Sequence, residues 1–362
     1  MKALFITTAL HRGGAERQLI TLLPRLAARG VEPSLLTLRE RGAFFEELTE
    51  SGIRTGCAGL QSRTDLAGMR RALRFAQPLP EIIVSQGVDA LVVGALLARR
   101  ADVPHIVIEH GGPGLGRRAH RRLLTRALAP SLARVVAVTR AQTPGLRRWG
   151  YRADRIVVIP NGVEDAPPPV RERAALRLEL GVAGDGFLAA FIGSLRAPKR
   201  PLAFVDAVAA TPGVHGVVIG SGPLRPEVER RAANVAVRVL GEREDVADLL
   251  GAADVLCVIS DIEALPMAAL EGMRAGLPLV ASAVGGLPEA VEDGVTGLLL
   301  APRDDHGLAA ALRRLAGDPA LAHRLGAAGR DRYLTLFSAD RMADGYEDLL
   351  RSVADERRRR GT

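Results

Sequence analysis

Glu263 and Glu271 follow the apolar run Asp254-Val255-Leu256-Cys257-Val258-Ile259-Ser260, with Leu265-Pro266-Met267-Ala268-Ala269-Leu270 between the two acids. The run has the length and composition of a buried strand, and the segment after it has the residues of a helix start. A proline suits the first helical turn, where its missing N–H has no intrahelical partner. The free N–H groups of Met267 and Ala268 then sit at the positive end of the helix dipole, a place for a phosphate. Glu271, further up that helix, stands roughly 7–8 Å from the phosphate end, within reach of a ribose. Glu263 precedes the helix, where a sugar joined to those phosphates would lie. Gly276-Leu277-Pro278, a second apolar strand and Gly285-Gly286-Leu287-Pro288-Glu289 come next. One short segment can thus offer a helix end to a diphosphate and an acid to each of two sugars. Two surface glutamates would explain the acids, but not the strand, glycines and Pro278 around them.

Other segments carry compatible chemistry. Phe191-Ile192-Gly193-Ser194-Leu195-Arg196-Ala197-Pro198-Lys199-Arg200 follows a strand pattern, and Arg196 and Lys199 could neutralise a diphosphate leaving group. Two solvated surface cations are the bland alternative. Near the start, His11-Arg12-Gly13-Gly14-Ala15-Glu16 links a strand to a helix. Its glycines permit close approach of backbone N–H groups to a ligand, or simply a tight turn. His110, in Ile108-Glu109-His110-Gly111-Gly112-Pro113-Gly114, stands at a strand end beside a glycine loop. It could donate to a substrate hydroxyl or be a structural histidine. Gly220-Ser221-Gly222-Pro223 is a fragment of a dinucleotide fingerprint, and turn geometry explains it better. No acidic Asp-x-Asp pair stands at a strand end, and Asp304-Asp305 has the look of a surface helix start. No metal or other cofactor is therefore expected, and cations and the helix end must stabilise the leaving charge.

These residues need two sheets to position them. Apolar strand runs alternate with amphipathic helical runs, which predicts α/β units with parallel sheets. In the first half the expected strands are Ala3–Thr8, Pro33–Thr37, Ile82–Ser85, His105–Glu109, Val135–Thr139 and Ile156–Ile159. Pro160-Asn161-Gly162-Val163 then forms a turn and Pro167-Pro168-Pro169 a stiff linker. The alternation restarts with Phe187–Ile192, Gly216–Ile219, Val235–Leu240, Val255–Ile259, Pro278–Ala281 and Gly297–Leu300. A last amphipathic helix is expected from about Ser338 to Arg357, with Arg358-Arg359-Arg360 fraying off. The resulting division is 1–165, 166–337 and 338–362. Two such units are expected to face each other across a cleft, with ligands at the carboxyl ends of the strands.

Composition narrows the classes. The chain has 362 residues, 48% apolar and 25% charged, as in a soluble globular protein. Cys57 and Cys257 lie far apart without CxxC neighbours, which suits a reducing, cytoplasmic compartment. The amino-terminal apolar run is broken by Thr7, Thr8 and His11 and is expected to be a strand, not a signal peptide. The net charge is +8, carried almost wholly by arginine, and aromatics are only 3%, which argues against a nucleic-acid partner. The basic run Arg117-Arg118-Ala119-His120-Arg121-Arg122-Leu123-Leu124-Thr125-Arg126 could lie against an anionic membrane, or be a solvated helix face.

Taken together, these motifs resemble the retaining glycosyltransferases of family four, of the group 1 type with the GT-B fold, over nearly the whole chain. The resemblance rests on Gly13-Gly14-Ala15-Glu16-Arg17, on Pro160-Asn161-Gly162-Val163, and on Asp254 to Glu271. It continues through Gly285-Gly286-Leu287-Pro288-Glu289 and Asp293-Gly294-Val295-Thr296-Gly297. The E-x7-E element is its most specific part. The resemblance implies two Rossmann-like domains, with a last helix crossing back to the first, and metal-independent transfer of a sugar with retention. The donor is a nucleotide-diphosphate sugar and the acceptor a sugar or lipid-linked hydroxyl, in polysaccharide or glycolipid assembly. Glu263 would meet the donor sugar at the reacting carbon, and Glu271 the ribose. Arg196 and Lys199 would hold the diphosphate with Gly13, Gly14 and the amides at Pro266, Met267 and Ala268, while His110 would touch the donor sugar. The family often has arginine directly after the glycine matching Gly193; Ser194 stands there, and Arg196 is the candidate replacement. The rival expectations are a nucleotide-sugar epimerase of the same fold and a non-catalytic nucleotide-sugar-binding protein. A nicotinamide oxidoreductase lacks a full GxGxxG after a strand.

Overall fold

The computed structural model describes residues 1–62, 65–111, 119–165, 170–182, 184 and 186–361. The expected linker Pro167–Pro169, the glycine loop from Gly112 to Gly114, and Arg117 and Arg118 of the basic run lie outside the described residues. The chain divides into two compact units: Met1–Glu164 with the chain from Ala339 on, and Asp165–Ser338.

The first unit is a seven-stranded parallel sheet in the order β3-β2-β1-β4-β5-β6-β7. Its strands are β1 (Lys2–Thr7), β2 (Glu32–Thr37), β3 (Arg54–Cys57), β4 (Ile82–Gln86), β5 (His105–Glu109), β6 (Arg134–Ala137) and β7 (Ile156–Val158). Side chains alternate across the sheet. Ala3, Phe5, Ile82, Val84, Ile106 and Ile108 face the first helix, Gly14–Ala28, and the last helix, Ala339–Gly361. Leu4, Ile6, Leu36 and Ile83 face the helix Val88–Ala101 on the opposite side. The last helix therefore belongs to the first unit. Arg29, the residue that ends the first helix, bonds Asp340 and Asp344, each at 3.0 Å, to fasten the two together.

Two expectations need correction. The edge strand β3 was not anticipated, because Arg54-Thr55-Gly56-Cys57 has no apolar alternation. Its glycine is there for space: a Cβ on Gly56 would come within 2.4 Å of the Phe75 ring. The last helix also does not fray at Arg357 but stays helical to Gly361. Arg358 reaches Glu81 at 3.7 Å and, one turn back, Asp355 at 3.6 Å, which favours the final turn.

The second unit is a six-stranded parallel sheet in the order β10-β9-β8-β11-β12-β13. Its strands are β8 (Phe187–Ile192), β9 (Val214–Ile219), β10 (Val237–Gly241), β11 (Val255–Val258), β12 (Leu279–Ser282) and β13 (Gly297–Leu300). The order reverses between β8 and β11, and open α/β sheets bind their ligands at the carboxyl ends of the strands beside such a reversal. Asp254 ties these two strands together at the opposite, amino-terminal ends. Its carboxylate accepts the Leu188 N–H at 2.7 Å and pairs with Arg173 at 2.6 Å and Arg177 at 2.9 Å. Among the described residues, no helix is long and apolar enough to cross a membrane.

Candidate active site

In the second unit the chain leaves β11, passes Ser260 and Glu263, and enters the helix Met267–Arg274. Pro266 is the residue before the helix, not inside its first turn as expected. Its extended ψ of 130° turns the chain into the helix, and its carbonyl accepts the Ala269 N–H at 3.1 Å. No side chain caps this end. The N–H groups of Met267 and Ala268, both half-buried, stand at the helix terminus. Glu271 lies half-buried one turn further up the same helix.

Glu263 is the centre of this cluster. Its side chain is only 7% exposed. One oxygen, Oε1, accepts from Lys199 Nζ at 2.5 Å and from Ser260 Oγ at 2.7 Å. A buried carboxylate needs such partners, because removing an ion from water unpaired costs several kcal/mol. Lys199 ends a short 3₁₀ turn, Ala197–Lys199, on the loop after β8. That loop is pinned to the Glu263 loop by the Asp261 N–H, which donates to the Pro198 carbonyl at 2.8 Å. The Asp261 carboxylate in turn takes two bonds from Arg303, at 3.0 and 2.9 Å, and lies 3.7 Å from Arg200. The Arg303 hydrogen bond holds the Asp261 carboxyl below the usual range, so this clamp is ionised.

The glycine pair behind the acid motif acts on the same loop. The Gly286 N–H donates to the Ala264 carbonyl at 2.7 Å. Gly285 has φ +55°, and a Cβ there would fall 1.8 Å from the Glu263 carbonyl oxygen. Gly193, Ser194 and Arg196 line the β8 loop. The turn Gly220–Gly222 buttresses that loop: the Leu195 N–H donates to Ser221 O at 2.8 Å, and Gly220 packs on the Gly193 carbonyl. Ser194 and Arg196 are exposed, and the Arg196 guanidinium has no partner among the described residues. The fold thus brings Lys199, not Arg196, onto Glu263.

The first unit carries the other candidates. Gly13 precedes the first helix and Gly14 begins it, again with no side-chain hydrogen bond at the cap. Glu16 curls back over this end, for a Cβ on Gly13 would come within 2.4 Å of Glu16 Oε2. Burial raises its carboxyl above the ordinary value, against a hydrogen bond to its own backbone N–H and the charge of His11. His110 follows β5, half-buried, with Nε2 3.1 Å from Gln18 Oε1. Gln18 Nε2 lies 2.8 Å from the Tyr346 hydroxyl of the last helix. Gln142 fixes the backbone on both sides of His110, its Nε2 donating to Glu109 O at 3.1 Å and Gly111 O at 2.9 Å. Burial lowers the His110 pKa to about 4, so the ring is neutral at pH 7.

Sequence reasoning missed Ser260, Asp261, Gln18, Gln142 and Tyr346. Only the spacing of Ser260, three residues before Glu263, hints at its role. Cavities of about 350 and 520 Å³, one in each unit, include none of the candidate residues. No cluster of three His, Cys, Asp or Glu side chains able to hold a metal occurs among the described residues.

Comparison with known proteins agrees with this architecture. Residues 12–166 match the Glycosyltransferase Family 4 model, and residues 186–318 the Glycosyl transferases group 1 model. The chain is 32% identical over 366 residues to the D-inositol 3-phosphate glycosyltransferase of Xylanimonas cellulosilytica, covering 90% of this chain and 84% of that one. The Streptomyces avermitilis protein of the same name is 34% identical over 249 residues, and the match spans only 53% of its length. A lipopolysaccharide core biosynthesis glycosyltransferase of Rhizobium meliloti is 29% identical over 94% of this chain and 96% of its own. Among solved structures, Anabaena HepE in complex with UDP superposes with a TM-score of 0.87 at 24% identity, over 97% of this chain and 100% of that one. The fold is the GT-B fold. The chain belongs to the group 1, family 4 glycosyltransferases.

Two predictions follow from this geometry. Gly285→Ala should displace the Glu263 loop, because its Cβ has no room against backbone and its φ is unfavourable. Donor affinity should fall about five- to hundredfold while far-ultraviolet circular dichroism is retained, since about 1–3 kcal/mol of backbone strain acts on that loop. Unchanged affinity would detach Gly285 from the site. Second, His110 is neutral when folded and has an ordinary pKa near 6.5 when unfolded, so the unfolded state binds more protons below that value. Its contribution to stability is complete above about pH 6.5 and is lost as the pH falls towards 4, on the order of 1–3 kcal/mol. Urea titrations across this window should show a shallower acid loss for His110→Gln; an identical slope would contradict the neutral assignment.

Proposed function

We propose that the protein transfers a hexose from a nucleotide-diphosphate sugar to an acceptor hydroxyl, with retention of configuration and without a metal. The observation that carries this reading is the buried Glu263 with Lys199 and Ser260 on one oxygen, beside a helix end that no side chain caps. Glu263 contacts hydroxyls of the donor sugar at the reacting carbon. Glu271 accepts hydrogen bonds from the ribose. Lys199, the Met267 and Ala268 amides and Arg196 stabilise the leaving diphosphate, with Gly193, Ser194, Gly13 and Gly14 shaping the backbone around it. His110 contributes a neutral imidazole to the sugar.

In the step itself, the bond from the anomeric carbon to the diphosphate oxygen breaks and the bond to the acceptor oxygen forms on the same face. The departing phosphate takes the acceptor's proton, so no separate base is needed. Lys199 gains importance as charge builds on the phosphate, and this is where a preplaced cation lowers a barrier. UDP is the first nucleotide to test, because the structurally similar HepE was solved with UDP. The lipopolysaccharide relative supports an acceptor in cell-surface polysaccharide or glycolipid assembly. A lipid-linked acceptor would bring the protein to the inner face of the membrane, and the exposed Arg122, Leu123 and Arg126 of the basic helix suit such a contact.

The test is a nucleotide-binding panel followed by transfer assays with UDP, GDP and ADP sugars in the presence of EDTA. One nucleotide should raise the melting temperature without metal, and Glu271→Ala should abolish that shift. Lys199→Ala should lower turnover by roughly one to three decades, as removal of other charge-stabilising donors does. Near wild-type turnover by this variant would sink the clamp role. An isomeric nucleotide sugar formed without acceptor would indicate an epimerase, and tight binding without turnover a binding protein.

A further inference from the structure

We infer that Gln18 and Tyr346 are positioning residues that fix His110 with its proton on Nδ1, so that the ring meets substrate as a hydrogen-bond donor. This rests on the reading that His110 contacts the sugar. The three side chains form one chain of contacts, 3.1 Å from His110 to Gln18 and 2.8 Å from Gln18 to Tyr346. Gln18 is 0% exposed and Tyr346 1%.

The two ends of a carboxamide exchange by a half-turn of its last torsion, and the protons along the chain decide which end faces which partner. With the amide nitrogen towards Tyr346, the hydroxyl accepts and the amide oxygen takes a proton from His110 Nε2. With the amide reversed, the tyrosine hydroxyl donates to the amide oxygen, and the amide nitrogen donates to an unprotonated His110 Nε2. Both arrangements make two hydrogen bonds, and they differ in what is left over. The first strands the Tyr346 hydroxyl proton in the core, with no other acceptor for it among the described residues. The second leaves only an under-used oxygen there, and moves the open donor to His110, which is half-buried. A buried donor without an acceptor is rarer and costlier than an oxygen with a spare lone pair, so the second arrangement prevails. Burial keeps the ring neutral at pH 7, so it holds one proton and the choice of nitrogen is a real one. His110 then donates to a sugar oxygen and cannot serve as a base at that atom.

The experiment is nitrogen NMR of the full chain with ring-labelled histidine, the His110 signals being assigned by their loss in His110→Ala. The expected wild-type spectrum has His110 Nδ1 protonated and Nε2 bare. In its ionised form Gln18→Glu offers only acceptors, so it should bring a proton onto Nε2 and lower kcat about tenfold, the worth of one substrate hydrogen bond, with little change in donor KM. Tyr346→Phe removes the hydroxyl that locks the amide and should give a mixture of tautomers. Melting curves check that both variants fold. An Nε2-protonated wild-type ring, or no change in Gln18→Glu, overturns the inference. If the tautomers behave as expected but His110→Ala transfers sugar normally, the network stands and the sugar contact falls.

Discussion

The second unit is organised by the need to keep one carboxylate charged almost out of water. Glu263 is buried, and an unpaired ion there would be untenable. Its two partners come from different directions, Ser260 from its own strand end and Lys199 from the loop after β8. The second contact exists only because β8 and β11 are sheet neighbours although far apart in sequence. The strand order reverses at that pair, and the ion pair joins the two loops that leave its carboxyl ends. Asp261 then serves the pair without touching it, by tying the Lys199 loop through its backbone and the Arg303 segment through its carboxylate.

The first unit solves a different problem with neutral groups. His110 also stands at a strand end, but its partners are amides and a hydroxyl, not ions. The first and last helices supply Gln18 and Tyr346, so the packing that returns the chain's end to the first sheet also sets the imidazole. One unit thus supplies preplaced charge and the other a preplaced neutral hydrogen-bonding group.

Much of this was legible in the sequence for a physical reason. Strands buried on both faces are near-continuous apolar runs, so the central strands of both sheets stood out. The acid motif was legible because its strand, Pro266 and glycines all constrain the backbone. Its side-chain partners were not, because contacts such as that of Lys199 with Glu263 depend on strand order, which local pattern does not encode. The same limit hid Gln18 and Tyr346, two ordinary-looking helical residues whose meaning comes from the packing of their helices side by side on one face of the sheet. The edge strand β3 was missed because an edge needs little apolar character. The extra helical turn at Arg358 was missed because its acidic neighbours include Glu81, distant in sequence.

The choice of lysine at position 199 is the most telling chemical detail. Only Lys2 and Lys199 are lysines among 49 basic Lys and Arg residues, so arginine is this chain's default cation. A guanidinium beside Glu263 would form a planar, two-bond fork with the carboxylate and commit its donors to it. An ammonium gives one donor to Oε1 and keeps two free, with its charge concentrated at one atom. On the proposed function, such a cation can both neutralise the buried acid and turn to a phosphate oxygen of the donor. Arginine at this position would favour the resting pair over the reacting one, and that difference gives a physical reason for the exception.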